Sequence, residues 1–171
     1  MTIEEAIKTG IQFEKRVYAT YLEAARGASD ATAKRVFATL AEEEMGHVTY
    51  LESRLGEWQR SAHLSAEKLQ TVLPSAERVR AALERLHSQV AQRKGDHESE
   101  LDSLRQALVA EEETSSFYRR MVSELPADGQ ELFARFLDIE DGHAALVAAE
   151  IDNVNRMGFW FDLKEFDLEA G

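Results

Sequence analysis

The chain has no cysteine, two prolines and only nine glycines in 171 residues. Without cysteine there are no disulfides, thiolate nucleophiles, zinc fingers, iron–sulfur clusters or rubredoxin-type iron sites. Sparse proline and glycine leave few obligatory turns, which favours a few long helices over many short strands. Basic residues are also scarce: 20 Lys and Arg stand against 32 Asp and Glu, a formal charge of −12 at pH 7, with a pI near 4.9. Such a chain repels phosphate backbones and anionic lipid, so no nucleic-acid or membrane partner is expected. The opening Met1–Glu5 has no basic flank ahead of an apolar core, and no apolar run approaches a membrane span. A cytoplasmic location is therefore expected. Apolar residues are plentiful at 44%, enough for a real core and too many for a disordered acidic chain.

Capping signals divide the chain. Thr2 and Glu5 form a capping box for a first long helix ending near Arg26-Gly27. Ser29 or Asp30 can cap a second, running to about Leu55-Gly56. Residues 57–95 read as a crossover holding Pro74 and one amphipathic helix, roughly 75–94. Asp96 then caps a third long helix, stopped by Leu125-Pro126, and Asp128 opens a fourth that runs to Met157-Gly158. Residues 1–158 are expected to form one helical unit, with 159–171 a short aromatic tail that packs over one end or against a partner subunit. No stretch alternates with period two, so the fold class is all-α.

Apolar spacing alternates four and three on each long helix, the seam of a helix bundle. The stripes are Ile7, Ile11, Glu14, Tyr18, Tyr21, Ala25 on the first and Phe37, Leu40, Glu44, His47, Leu51 on the second. The third carries Leu104, Leu108, Glu111, Ser115, Tyr118, Val122, Leu125, and the fourth Phe133, Phe136, Glu140, His143, Val147. A glutamate interrupts every stripe where a core residue belongs, and on two helices a histidine follows three residues later. A third Glu-x-x-His, Glu84/His87, lies about 100° off the stripe Val72, Ala76, Val79, Leu83, Leu86, Val90 and reads as a solvated pair. His63, His87 and His97 are all expected at the surface, as are Glu42 and Glu43.

The two halves repeat one another. Glu14 precedes Glu44 by 30 residues and Glu111 precedes Glu140 by 29; a tyrosine, Tyr21 or Tyr118, stands seven after the first glutamate of each half. Gly46 and Gly142 precede the two histidines. A helical glycine costs about 1 kcal/mol relative to alanine, so both are expected where backbones or ligands approach closely. Depth agrees too. Glu14 lies 13 residues before Gly27 and Glu44 lies 14 after Asp30, so in an antiparallel hairpin they differ by about 1.5 Å in height. Glu111 lies 14 before Leu125 and Glu140 lies 12 after Asp128, a mismatch of roughly 3 Å.

Four buried carboxylates would each cost several kcal/mol unless neutralised. Two divalent cations offset their charge, leaving the protein about −8, and His at i+3 from Glu can bind the same ion. Oxygen-rich, sulfur-free sites suit iron or manganese. Glu14, Glu44, His47, Glu111, Glu140 and His143 are thus the candidate ligands of two iron ions, with manganese possible. Tyr21 and Tyr118 are candidates to hydrogen-bond and position the ligand carboxylates.

These motifs resemble the ferritin-like superfamily, most closely the rubrerythrin family, over residues 3–56 and 97–158. The tail from Gly158 to Glu169 is also similar to rubrerythrin-like tails. The resemblance implies a ferritin-like four-helix bundle with one long crossover. It also implies an oxidoreductase of peroxidase or ferroxidase type that acts on peroxide or dioxygen. Two positions depart from that family. With no cysteine there is no rubredoxin module, so electrons come from an external donor protein. A second glutamate three residues after the third-helix ligand is replaced by Thr114, and Glu112 and Glu113 lie about 100° and 200° off the ligand face. The set of six then resembles a bacterioferritin-like ferroxidase centre. The expected assembly is a homodimer. An iron-storage protein whose ferroxidase step serves sequestration, and a metal-free helical interaction module, are the competing readings.

Overall fold

The structure, a computed structural model, describes residues 1–65, 69–87, 97–158 and 160. Among these every regular element is helical: α1 (Ile3–Gly27), α2 (Ala31–Ser61), α3 (Ala76–His87), α4 (Glu98–Glu124) and α5 (Ala127–Met157). The Thr2/Glu5 capping box opens α1, and the Asp30 carboxylate accepts from Thr32 N and Ala33 N to open α2. Loops of three and two residues join α1 to α2 and α4 to α5, so each pair folds back antiparallel along its length. The hairpins meet where α1 packs on α4, and α3 lies against α5.

Several helix ends differ from expectation. Helix α2 continues through Gly56 to Ser61 and stops at Ala62, which adopts a left-handed φ of 50°. The extra turns are held by Trp58 and Leu55 against the core and by Arg54, 3.1 Å from Glu57. Tertiary packing there outweighs the glycine's intrinsic cost of about 1 kcal/mol. Pro126, not Asp128, is the N-cap of α5, with Asp128 in the first turn. Helix α3 starts at Ala76 as the pattern implies, whereas the expected continuation to 94 and the Asp96 cap lie outside the described residues. Val72 is no part of its buried stripe: it is 74% exposed, and Val79 is the fully buried anchor. On α1 Val17 is buried while Tyr18 is only partly so, and Leu108 and Val122 are likewise partly covered.

The core is split in two. One apolar cluster gathers Val17, Tyr21, Phe37, Leu40, Leu104 and Leu146; the other gathers Ile7, Ile11, Leu51, Tyr118, Phe133 and Phe136. On each long helix the division falls at the interrupting glutamate, so one polar layer crosses the interior between two apolar ones. Trp160, from the expected tail, is buried with its ring edge-on to Phe37, centroids 5.3 Å apart. The rest of the tail, residues 159 and 161–171, lies outside the described residues.

Candidate metal centre

Helical phase alone turns six polar side chains into the interior. Glu14, Glu44, His47, Glu111, Glu140 and His143 are each no more than 1% exposed. Ligand atoms of Glu44, His47, Glu140 and His143 lie within 4.8 Å of one another, a buried group that can hold a metal ion. The imidazoles of His47 and His143 stack nearly parallel, with centroids 5.3 Å apart. Glu44 stands between them, its Oε2 3.3 Å from His47 Nδ1 and its Oε1 2.8 Å from His143 Nδ1. Glu140 Oε1 lies 3.2 Å from His47 Nδ1. Glu14 flanks the His47 side at 3.1 Å, and Glu111 the His143 side at 3.9 Å.

Hydrogen bonds do not account for this packing. His47 Nδ1 faces three carboxylates within 3.3 Å, more than one N–H can serve. Among the described residues, no aligned hydrogen bond reaches either oxygen of Glu44 or Glu140, Oε2 of Glu111, Nε2 of His47, or either ring nitrogen of His143. Buried polar atoms are ordinarily satisfied, and so many unpaired oxygens and ring nitrogens converging on one point suit this group to holding a cation.

The tyrosines cross between the halves. Tyr21 of α1 donates its hydroxyl to Glu111 Oε1 of α4, and Tyr118 of α4 donates to Glu14 Oε1 of α1. Burial and then the neighbouring carboxylate charge (Glu111 for Tyr21, Glu14 for Tyr118) push both phenols well above 10. They stay protonated and serve as fixed donors. Gly10 makes room for this: a Cβ there would lie 3.3 Å from the Tyr118 hydroxyl oxygen and 3.3 Å from Leu51 Cδ1. A glycine one turn before Glu14 was a visible signal for it.

Electrostatics mark the cluster as unstable in fully ionised form. Burial pushes the Glu14 and Glu140 carboxyls up to about 8, with the Glu44 charge adding to it and His47 opposing. Burial, then Glu44 and Glu140, raise Glu111 well above the carboxylate range. Burial also disfavours charge on Glu44, but His47 and then His143 outweigh it and hold that carboxyl below its usual range. The reverse holds for His47: burial opposes its charge, and Glu44 with its neighbours raises it well above 6.5. Without a cation these shifts favour charge on Glu44 and His47 and the protonated form of Glu14, Glu111 and Glu140.

Other positions vary. Thr114 is buried and turns back to its own helix, its hydroxyl donating to Ala110 O at 2.9 Å. Glu112 and Glu113 are exposed as expected, Glu113 pairing with Arg16 at 2.5 Å. Glu84 and His63 are exposed; His97 is half-buried, its Nε2 3.1 Å from Gly158 O. The side chain of His87 lies outside the described residues. Glu42 is solvated, whereas Glu43 is only partly exposed: it accepts from the Thr71 hydroxyl at 2.6 Å and from Val72 N at 3.3 Å. The glycines also part company. A Cβ on Gly142 would lie 3.2 Å from Pro74 O, whereas one on Gly46 would meet nothing within 4 Å, so only Gly142 marks a close approach.

Four buried polar residues escaped the stripe reading: Arg54, Glu100, Glu150 and Asn153. Glu150 continues the α5 stripe seven residues past His143, a legible signal. Glu100 is tied to the α1–α2 turn by Ser29 Oγ at 2.7 Å and by the Ser29 and Asp30 amides, a long-range contact no local pattern contains. No helix among the described residues is long and apolar enough to cross a membrane.

Together these features define an all-helical protein with a buried carboxylate–imidazole group able to hold metal. No family model, curated protein or solved structure matches the chain.

Proposed function

We propose that this chain is a two-iron oxidoreductase built as a ferritin-like four-helix bundle, similar to the rubrerythrins but drawing electrons from an external donor. The convergence of unsatisfied, fully buried carboxylate and imidazole atoms on one layer carries the reading. Glu44 and Glu140, beside the imidazoles of His47 and His143, with Glu14 and Glu111 on either side, are the carboxylates that would hold the ions. Oxygen-rich donors with two imidazoles and no sulfur match iron, with manganese the next fit. Two ferrous ions held by these residues would supply two electrons, enough with two protons to take a peroxide to two waters, and an external donor would restore them.

The chain's own groups prepare the site. Tyr118 pins one oxygen of Glu14 and Tyr21 one oxygen of Glu111, which fixes carboxylate orientation without competing for the remaining oxygens. Phe136 stands edge-on to His47 at 5.5 Å, and it and Tyr118 help keep water from that side of the layer. Protons on three of the carboxyls would keep the interior neutral without metal and would leave as cations enter. Protein reconstituted anaerobically should hold close to two irons per chain, stoichiometry being read by metal analysis. Glu111→Ala and His143→Ala variants that bind as much iron as the parent would overturn the assignment.

A further inference from the structure

A cleft of about 570 Å³ opens between the segment preceding α3 and the middle of α5, and His143 is among the residues that line it. The segment is tied to α2 and α5 at residues 69, 71 and 72. Glu43, the residue before the candidate ligand Glu44, holds Thr71 and Val72. Arg135 of α5 donates to Leu69 O at 3.1 Å. Just past these ties Leu73 and Pro74 are buried, and Pro74 O lies 3.2 Å from where a Cβ on Gly142 would stand. The strap therefore lies directly on the turn of α5 that carries His143. This explains the glycine at 142 and leaves Gly46, in the other half, with no equivalent.

The lining charges balance. Arg78, Arg80 and Arg135 face Glu77, Asp138 and Asp141, in a chain whose formal charge is −12. A passage meant to draw ferrous ions inward would carry net negative charge, and one meant for anions net positive charge. A balanced rim over Leu73, Pro74 and Ile139 concentrates neither. We infer that this cleft admits a small uncharged oxidant, a peroxide or dioxygen, to the centre from the His143 side, with the 71–76 strap and Gly142 setting its width. The inference deepens the proposed two-iron reading and rests on it.

The absence of cysteine makes a direct test possible. Ser75 and Glu77 are exposed residues on the cleft wall, so Ser75→Cys and Glu77→Cys each place a single thiol there, and Glu23→Cys places one on an exposed face of α1. Each variant is measured before and after reaction with a bulky maleimide. The Glu77 variant covers the case in which loss of the Ser75 cap, whose hydroxyl accepts from Arg78 N at 3.4 Å, disturbs α3. In metal-free protein, labelling at 75 or 77 should slow hydrogen exchange at the His143 ring carbon, read by mass spectrometry, and leave His47 unchanged. In ferrous protein it should leave iron content at two per chain. It should also slow nitric oxide association and peroxide oxidation by at least about tenfold, while the label at 23 changes neither. Unchanged His143 exchange and unchanged rates with both cleft labels in place would overturn the inference. If no variant binds iron, the two-iron reading fails separately, and the exchange measurement still decides whether the cleft reaches His143.

Discussion

Loading the centre with metal at pH 7 should expel protons, and their number follows from the site. Glu14 and Glu140, raised to about 8, are roughly nine-tenths protonated at that pH. Glu111 and His47 are also raised above their ordinary values, which favours their protonated forms. A metal ligand must be deprotonated, so binding two divalent ions should release about two protons per chain from Glu14 and Glu140, and more from Glu111 and His47. With Glu14, Glu111 and Glu140 protonated and Glu44 paired to His47 the interior is neutral without metal, and two dications would balance the four carboxylates once those protons leave. The net charge near −8 expected of the loaded protein therefore applies to the metal-free protein as well, and loading should leave electrophoretic mobility almost unchanged. The proton count is measured by anaerobic calorimetric titration with ferrous or manganous ion in buffers of differing ionisation enthalpy, checked by indicator dye in weak buffer. Release of n protons also makes the overall binding constant rise about 10^n-fold per pH unit. Fewer than about one proton released, with affinity insensitive to pH between 6 and 8, would refute the argument that burial and mutual repulsion keep these carboxyls protonated.

Other outcomes follow from the same contacts. Because Glu14 and Glu140 are raised, their contribution to metal-free stability is complete below about 4.5 and is lost as pH rises toward 8. Unfolding free energies from urea titration should fall over that window by up to about 1.4 kcal/mol per pH unit for each group, and metal-loaded protein should show no such decline. Tyr118→Phe and Tyr21→Phe remove the donors to Glu14 and Glu111. They should keep two-metal stoichiometry but weaken affinity about 10–100-fold in chelator competition, and unchanged affinity would show the hydroxyls to be packing groups only. Glu100, held down to about 2 because the Ser29 and Asp30 donors outweigh its burial, stabilises the fold above about 4.5. That contribution disappears as pH falls toward 2, and Glu100→Ala should cost about 1–3 kcal/mol in urea unfolding at pH 7. Gly46→Ala should gain about 0.5–1 kcal/mol of helix stability, and Gly142→Ala should fall short of that gain because its Cβ meets Pro74 O. Equal gains at both sites would show that the strap gives way freely.

What the sequence determined by itself was everything that depends on position along one helix. A 3.6-residue repeat fixes which side chains share a face, so the interruption of each stripe by Glu14, Glu44, Glu111 or Glu140, and the i+3 placement of His47 and His143, could be read without coordinates. Hairpin depth could be read as well, because a constant rise per residue converts counts from a turn into heights. The same reasoning set Glu84 aside correctly. It stumbled where a long-range partner overrides a local cue, as at Gly56, where Trp58 and Arg54 carry α2 onward, and at Glu43, where Thr71 arrives from a remote segment. Only the tertiary structure decided that Glu44 presents one oxygen to each imidazole, and that the two tyrosines serve the opposite half rather than their own. It alone also placed a strap on Gly142 while leaving Gly46 bare. Those facts depend on how separate helices are set against one another, and no periodicity within a single helix encodes that.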